Sequence, residues 1–117
     1  MKRSHEPVFW ALFGAGGMLS ALLGPVLIFV TGIAVPLGWL PPDTMDHARM
    51  LAFLRSPLGA LGAGALIALL LFHGCHRLLH SLHDLGLRRS RWTALAFYGF
   101  AALGSAAAFV LLASLPR

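Results

Sequence analysis

Three long stretches without a charged side chain constrain the fold of this chain more than any other feature. They run from Val8 to Leu40, from Ser56 to Phe72 and from Trp92 to Pro116. A helix needs roughly 20 apolar residues to cross the hydrocarbon core of a membrane, with about 17 as the lower limit. In a chain of 117 residues, of which 58% are hydrophobic and 11% charged, these stretches cannot be covered by a water-soluble surface. The sequence therefore predicts an all-α integral membrane protein with three transmembrane helices.

The segment boundaries follow from local signals. We expect one transmembrane domain over residues 1–117, with spans near 8–35, 57–83 and 92–115. Ser56 followed by Pro57 is typical of an N-cap with proline at the first helical position, and it predicts the start of the second span. The segment before it mixes charged residues with Met50, Leu51 and Leu54, which indicates a short helix lying at the membrane interface. The first apolar stretch far exceeds a signal-peptide core, so it is interpreted as a permanent span.

The distribution of the nine basic residues predicts the orientation. With the N-terminus in the cytoplasm, six of them face inward (Lys2, Arg3, Arg77, Arg88, Arg89 and Arg91) and three face outward (Arg49, Arg55 and Arg117). This is the positive-inside bias of membrane proteins. Since the basic residues flank the spans, the net charge of +5 reflects topology and does not indicate a nucleic-acid partner.

A histidine-rich segment closes the second span. It reads His-Gly-Cys-His-Arg-Leu-Leu-His-Ser-Leu-His-Asp over residues 73–84. On a helix, one face would carry a polar stripe that follows the i, i+3, i+4, i+7 rhythm from His73 through His76, Arg77 and His80 and continues to Asp84. Counting about 20 residues from the start of the span places Arg77 at the inner interface. Trp10 is expected at the same level because the first two spans run antiparallel.

This donor set suits the headgroup of a lipid-soluble quinone, whose two carbonyl oxygens need hydrogen-bond donors near the membrane surface. Arg77 offers a permanently charged fork of donors, and the indole of Trp10 only donates. The histidines donate, accept and titrate near neutral pH, so His73, His80 and His83 are candidates for a proton relay. In the alternative interpretation, arginine and histidine at a helix end only anchor the helix at the interface.

Other ligands and functions fit the sequence less well. Haem needs axial ligands on opposite faces of the porphyrin, so one helix could supply only one of them, with His73 as the candidate. His76 and His80 lack a third ligand for zinc, and no metal site is expected. A proton-coupled transporter needs an ionisable group deep in the membrane, usually a carboxylate, but all four acidic residues lie outside the apolar stretches. The sequence also lacks a nucleophile and base pair, a phosphate loop and a cofactor fingerprint, so catalysis by this chain is not expected.

Two runs of sequence resemble a known family. Residues 2–18, Lys-Arg-Ser-His-Glu-Pro-Val-Phe-Trp-Ala-Leu-Phe-Gly-Ala-Gly-Gly-Met, and residues 76–85, His-Arg-Leu-Leu-His-Ser-Leu-His-Asp-Leu, are similar to the D subunit of fumarate reductase. The likeness extends over nearly the whole chain in length, number of spans and order of segments.

The resemblance implies a role and a set of partners. It implies a non-catalytic membrane anchor of a quinol:fumarate reductase in the bacterial cytoplasmic membrane. The expected partners are the second membrane anchor, which is the C subunit of fumarate reductase, together with the iron–sulfur and flavoprotein subunits. Trp10 and Arg77, with His76 beside them, match residues of a site that binds menaquinone and oxidises menaquinol. Flavin and iron–sulfur clusters are then expected only in the partner subunits, and no haem is expected. Two alternative functions remain: a haem-ligating anchor of a succinate dehydrogenase-type complex, and a small homo-oligomeric transporter.

Overall fold

The structure is a computed structural model that describes residues 6–88 and 90–117, with only the main chain described for Glu6. These residues form four α-helices and no strand: α1 (Glu6–Phe29), α2 (His47–Arg55), α3 (Pro57–Asp84) and α4 (Arg91–Ala113). Three segments are long and apolar enough to cross a membrane, Pro7–Ala34, Pro57–Asp84 and Arg91–Ala113. The predicted all-α class with three transmembrane helices is confirmed. Lys2, Arg3 and Arg89, which entered the charge count, lie outside the described residues.

The first span changes its hydrogen-bonding pattern before it ends. Over Val30–Ala34 the helix is π-helical, and the Val35 N–H donates to the Val30 oxygen at 3.0 Å, five residues back. The hydroxyl of Thr31 donates to the Leu27 oxygen at 2.7 Å, so a side chain engages the carbonyl just before the change. Gly38, with φ of +74°, then turns the chain, and only glycine adopts this conformation without strain.

A short helix, α2, connects the first and second spans, as the sequence predicted. Its N-terminus is capped by Asp46, whose Oδ1 accepts from the Arg49 N–H at 2.8 Å. The Arg49 guanidinium also pairs with the carboxylate of Asp43. These contacts fix the charged side chains of the connection around α2, which packs against the beginning of α3.

Serine caps set the starts of α3 and α4. Ser56 Oγ accepts from the Gly59 N–H at 2.9 Å, and Pro57 lies in the first turn, as predicted. Ser90 Oγ accepts from the N–H groups of Trp92 and Thr93 at 3.0 and 3.3 Å. Each cap satisfies donors that the helix itself leaves unpaired and contributes roughly 1 kcal/mol.

The central helix is α3, with α1 and α4 packed antiparallel on it. Glycines allow the close approach of α1: a Cβ on Gly16 would lie 2.5 Å from the Leu69 oxygen, and one on Gly17 would lie 2.6 Å from Cε1 of His73. Small residues at helix crossings are the usual means of close packing in a membrane. The start of α1 therefore lies beside the second half of α3.

The contact between α3 and α4 uses the same principle. The ring of Phe109 packs on Gly64, where a Cβ would overlap the ring. Leu71 packs on Gly104, where a Cβ would lie 3.0 Å from Cδ1 of Leu71. Ala101 and Ser105 of α4 are buried in this interface. The antiparallel packing puts the beginning of α4 at the same end of the molecule as the beginning of α1.

Candidate functional site

A polar groove of about 380 Å³ lies between the first turns of α1 and the second half of α3. The spacing of polar residues on α3 places them on one face, and the antiparallel α1 adds its indole at the same level. Five of the six residues singled out from the sequence meet here. Among the described residues, the groove is lined by Trp10, Phe13, Gly14, His73, His76, Arg77 and His80.

Trp10 and Arg77 are the two strong donors of the groove. Trp10 is 83% exposed, and Arg77 is also exposed. Neither side chain makes a hydrogen bond or an ion pair with another described residue. In a membrane an unpaired donor is costly, so these groups are available to a ligand or to a neighbouring chain.

His73 is held against α1 and has a defined tautomer. Its Nδ1 lies 2.8 Å from the main-chain oxygen of Phe13. Since a carbonyl oxygen only accepts, Nδ1 carries a proton and donates it. The edge of the ring with Cε1 and Nε2 lies over Gly17. His73 therefore fixes the position of its ring by one hydrogen bond to α1 and one close contact with it.

His76 is a groove histidine with contacts to all three long helices. Its ring stacks on Phe13 of α1, with centroids 4.1 Å apart and planes 14° from parallel. Its Nδ1 shares a hydrogen bond of 2.8 Å with the hydroxyl of Tyr98 on α4. The ring of His80, one turn further along α3, lies 4.4 Å away. With Nδ1 engaged by Tyr98, Nε2 is the nitrogen that His76 offers to the groove.

His83 lies outside the groove. Its Nδ1 donates to the oxygen of Leu79 on its own helix at 2.5 Å. Its Nε2 is buried and has no hydrogen-bond partner in the described part of the chain. The ring centroid is 6.3 Å from that of His80, which is the nearest connection to the groove histidines. The structure thus brings five of the predicted residues together in the groove, and the sixth, His83, lies beside His80 outside it.

Two residues of the site, Phe13 and Tyr98, were not singled out from the sequence. Both also line an apolar cavity of about 480 Å³ together with Phe9, Leu12 and Phe72. Phe13 is therefore a common wall of the polar groove and the apolar cavity. A hydroxyl in an otherwise apolar span was the available signal for Tyr98, because such a group needs a partner on another helix.

The groove combines cationic and neutral donors, and none of the described residues that line it is a carboxylate. Arg77 offers a fork of N–H donors, whereas each of the three histidine rings has one nitrogen able to donate and one able to accept. Such a lining favours a ligand whose oxygen atoms carry partial negative charge, and it gives that ligand both fixed donors and proton acceptors.

Comparison with known proteins agrees with this architecture. Residues 1–113 match the model of the family described as the D subunit of fumarate reductase. The fumarate reductase D subunit of Mycobacterium tuberculosis is 50% identical over 109 residues, which cover 92% of this chain and 86% of that protein. Those of Photobacterium profundum and Aliivibrio fischeri are 47% and 43% identical over 111 residues, covering 95% of this chain and 92% of theirs. With this similarity over nearly its whole length, the chain belongs to the family of fumarate reductase D subunits.

Proposed function

We propose that this membrane-anchor subunit of fumarate reductase forms part of the site where menaquinol is oxidised, and that the groove between α1 and α3 is its share of that site. The observation that carries the proposal is the convergence of Trp10, His76 and Arg77 on one groove at one end of the molecule. These side chains come from two different helices, so helix-end anchoring alone does not account for their meeting.

The residues present fit a quinol. Small-molecule sites commonly enclose roughly 300–1,000 Å³, are mostly apolar and contain a few convergent polar groups. A groove of about 380 Å³ with two unpaired donors has this character, and the apolar cavity behind Phe13 supports a ligand with a hydrocarbon tail. When bound, menaquinol would supply electrons for fumarate reduction and release protons.

The roles of the side chains follow from their chemistry. Arg77 and Trp10 donate to the quinol oxygens and hold the headgroup, and the charge of Arg77 stabilises negative charge that develops there. His76 accepts a proton at Nε2, since its Nδ1 is engaged by Tyr98. The next group able to receive that proton is His80, whose ring centroid lies 4.4 Å from that of His76, and His83 follows. His73, whose Nδ1 is bound to Phe13, lines the inner side of the groove.

The groove end of the molecule faces the cytoplasm in this proposal. Arg77, Arg88 and Arg91 lie at that end, whereas Arg49, Arg55 and Arg117 lie at the end that carries α2. The positive-inside rule then places the N-terminus in the cytoplasm of a bacterium and the protein in its inner membrane. The iron–sulfur and flavoprotein subunits would dock on this side, with the C subunit as the second anchor. Fumarate reduction itself belongs to the partners, whose flavin and iron–sulfur clusters perform the redox chemistry.

Replacing Arg77 tests the proposal. In the purified complex, Arg77→Leu should lower quinol-linked fumarate reduction at least about tenfold, because a hydrogen bond from a charged donor contributes roughly 1.5–3 kcal/mol. Fumarate reduction driven by an artificial water-soluble donor should be unchanged. Arg91→Leu is the matched control: Arg91 lies at the same end, but its guanidinium stacks over Trp92 at 5.4 Å and does not line the groove. Equal loss of both activities in Arg77→Leu would show an assembly role, and no loss would place the quinol elsewhere.

A further inference from the structure

We infer that Tyr98 on α4 is a positioning residue for His76, and that it determines which nitrogen of His76 receives the proton from the quinol. This inference rests on the proposed function. Tyr98 does not line the polar groove but the apolar cavity on the other side of Phe13, so it acts on the groove through His76.

The contacts around His76 leave it one free direction. Phe13 covers one face of the imidazole at a centroid distance of 4.1 Å, and the near-parallel planes prevent the ring from tilting. Tyr98 engages Nδ1 at 2.8 Å from the neighbouring helix. Because the two nitrogens lie on opposite edges of the ring, fixing Nδ1 on α4 directs Nε2 away from α4 and toward the groove that His76 lines.

A tyrosine hydroxyl suits this task because its oxygen accepts a hydrogen bond from an N–H group. In the neutral tautomer of His76 that carries its proton on Nδ1, Nδ1–H donates to the hydroxyl oxygen of Tyr98, and Nε2 is free to accept. After Nε2 takes a proton from the quinol, Nδ1–H of the imidazolium still donates to the same oxygen. Tyr98 therefore satisfies Nδ1 in both protonation states, and the proton passes through Nε2 alone. The arrangement resembles other enzymes in which the bond to one histidine nitrogen sets the role of the other.

The charged and titratable groups that face His76 come mainly from its own helix. Among the described side chains they are His73, Arg77 and His80 on α3 and Tyr98 on α4, while the described side chains of α1 beside His76 are Phe13 and Trp10, which do not titrate. A hydroxyl removed from Tyr98 would leave Nδ1 without a partner in an apolar setting, which is costly. The ring would then turn toward other partners, and Nε2 would lose its alignment.

The test is Tyr98→Phe in the assembled complex, measured with menaquinol and with the artificial donor. We expect kcat for quinol-linked fumarate reduction to fall about five- to tenfold, the size of effect expected for one lost neutral hydrogen bond. The KM for quinol should stay within about twofold, since Tyr98 does not touch the ligand. The artificial-donor activity should not change. Ser105→Ala is the matched control, because it removes a buried hydroxyl from the same helix whose partner among the described residues is the Ala101 oxygen of α4.

A double-mutant cycle with His76→Gln separates positioning from packing. If Tyr98 acts through His76, adding Tyr98→Phe to His76→Gln should cause no further loss of kcat. Additive losses, a raised KM at unchanged kcat, an equal loss of artificial-donor activity, or an unchanged kcat in Tyr98→Phe would each overturn the inference. Arg77→Leu in the same assay distinguishes a failure of the proposed quinol site from a failure of the role inferred for Tyr98. If it abolishes quinol oxidation while Tyr98→Phe is silent, the proposed function stands and the role of Tyr98 fails.

Discussion

The ring of His73 lies directly on Gly17, so that a Cβ at residue 17 would stand 2.6 Å from Cε1 and 3.1 Å from Nε2. The same ring donates to the Phe13 oxygen one turn earlier in α1. A single side chain of α3 thus joins α1 through a hydrogen bond and a van der Waals contact. The spacing of the two helices at the groove depends on the absence of a side chain at residue 17.

Gly17→Ala should therefore disturb the groove. The new methyl group forces either α1 away from α3 or His73 out of its bond to Phe13, and overpacking of this kind costs about 1–3 kcal/mol. We expect a lower melting temperature of the detergent-solubilised complex and reduced quinol-linked activity. Gly62→Ala on α3 is the control, because open space surrounds the place of its Cβ. Adding His73→Ala to Gly17→Ala should restore the melting temperature in part, and an unchanged complex in Gly17→Ala would contradict the close contact.

The contact of Phe109 with Gly64 predicts a compensating pair on the other side of α3. Gly64→Ala should lower the melting temperature because the new Cβ overlaps the ring of Phe109. Phe109→Leu in the same chain should recover much of the loss, since the shorter side chain makes room for the methyl group. Independent, additive effects of the two changes would show that they do not meet.

Trp10→Phe should weaken quinol binding while keeping an aromatic ring at the groove. The loss of the indole N–H removes one neutral hydrogen bond, which contributes roughly 0.5–1.5 kcal/mol, so KM for quinol should rise about two- to tenfold. The measurement is steady-state quinol oxidation over a range of quinol concentrations. Trp92→Phe serves as the control, because Trp92 is also exposed at this end but does not line the groove. Equal changes in both variants would assign Trp10 to membrane anchoring alone.

Ser56→Ala should destabilise the start of α3 by about 1 kcal/mol through loss of its N-cap. The Gly59 N–H would lose its acceptor at 2.9 Å. We expect a lower melting temperature with an unchanged KM for quinol, because the cap lies at the opposite end of α3 from the groove. Ser114→Ala is the comparison: in the described part of the chain its hydroxyl donates to the Leu111 oxygen at an exposed helix end, so little change is expected.

The sequence predicted the elements of the fold and the groove stripe because both depend on local periodicity. Uncharged length determines the spans, and helical spacing puts His76, Arg77 and His80 on one face regardless of what packs against it. The depth of Trp10 in the membrane, equal to that of Arg77, was predicted by counting residues along the first two spans, which run antiparallel. These predictions needed no knowledge of how the helices rotate against one another.

What the sequence could not supply was the pairing between helices. The bond of His76 to Tyr98 and that of His73 to the Phe13 oxygen depend on the rotation and depth of α1 and α4 against α3. That rotation is set by close contacts such as the one between Gly16 and Leu69. The sequence does not distinguish Gly16 from the other glycines of the chain, several of which are surrounded by open space. His83 remains a proposed member of the relay, and the bond of its Nδ1 to the Leu79 oxygen on its own helix was not predicted from the sequence.

In the described part of the chain the groove has walls on α1 and α3, and most of the surface of Trp10 is uncovered. In the proposed site, the companion subunits would cover the remaining sides of the quinol headgroup. Affinity for the redox lipid would then be a shared property of the assembly. Substitutions in a neighbouring chain would be expected to change that affinity while this anchor keeps its sequence.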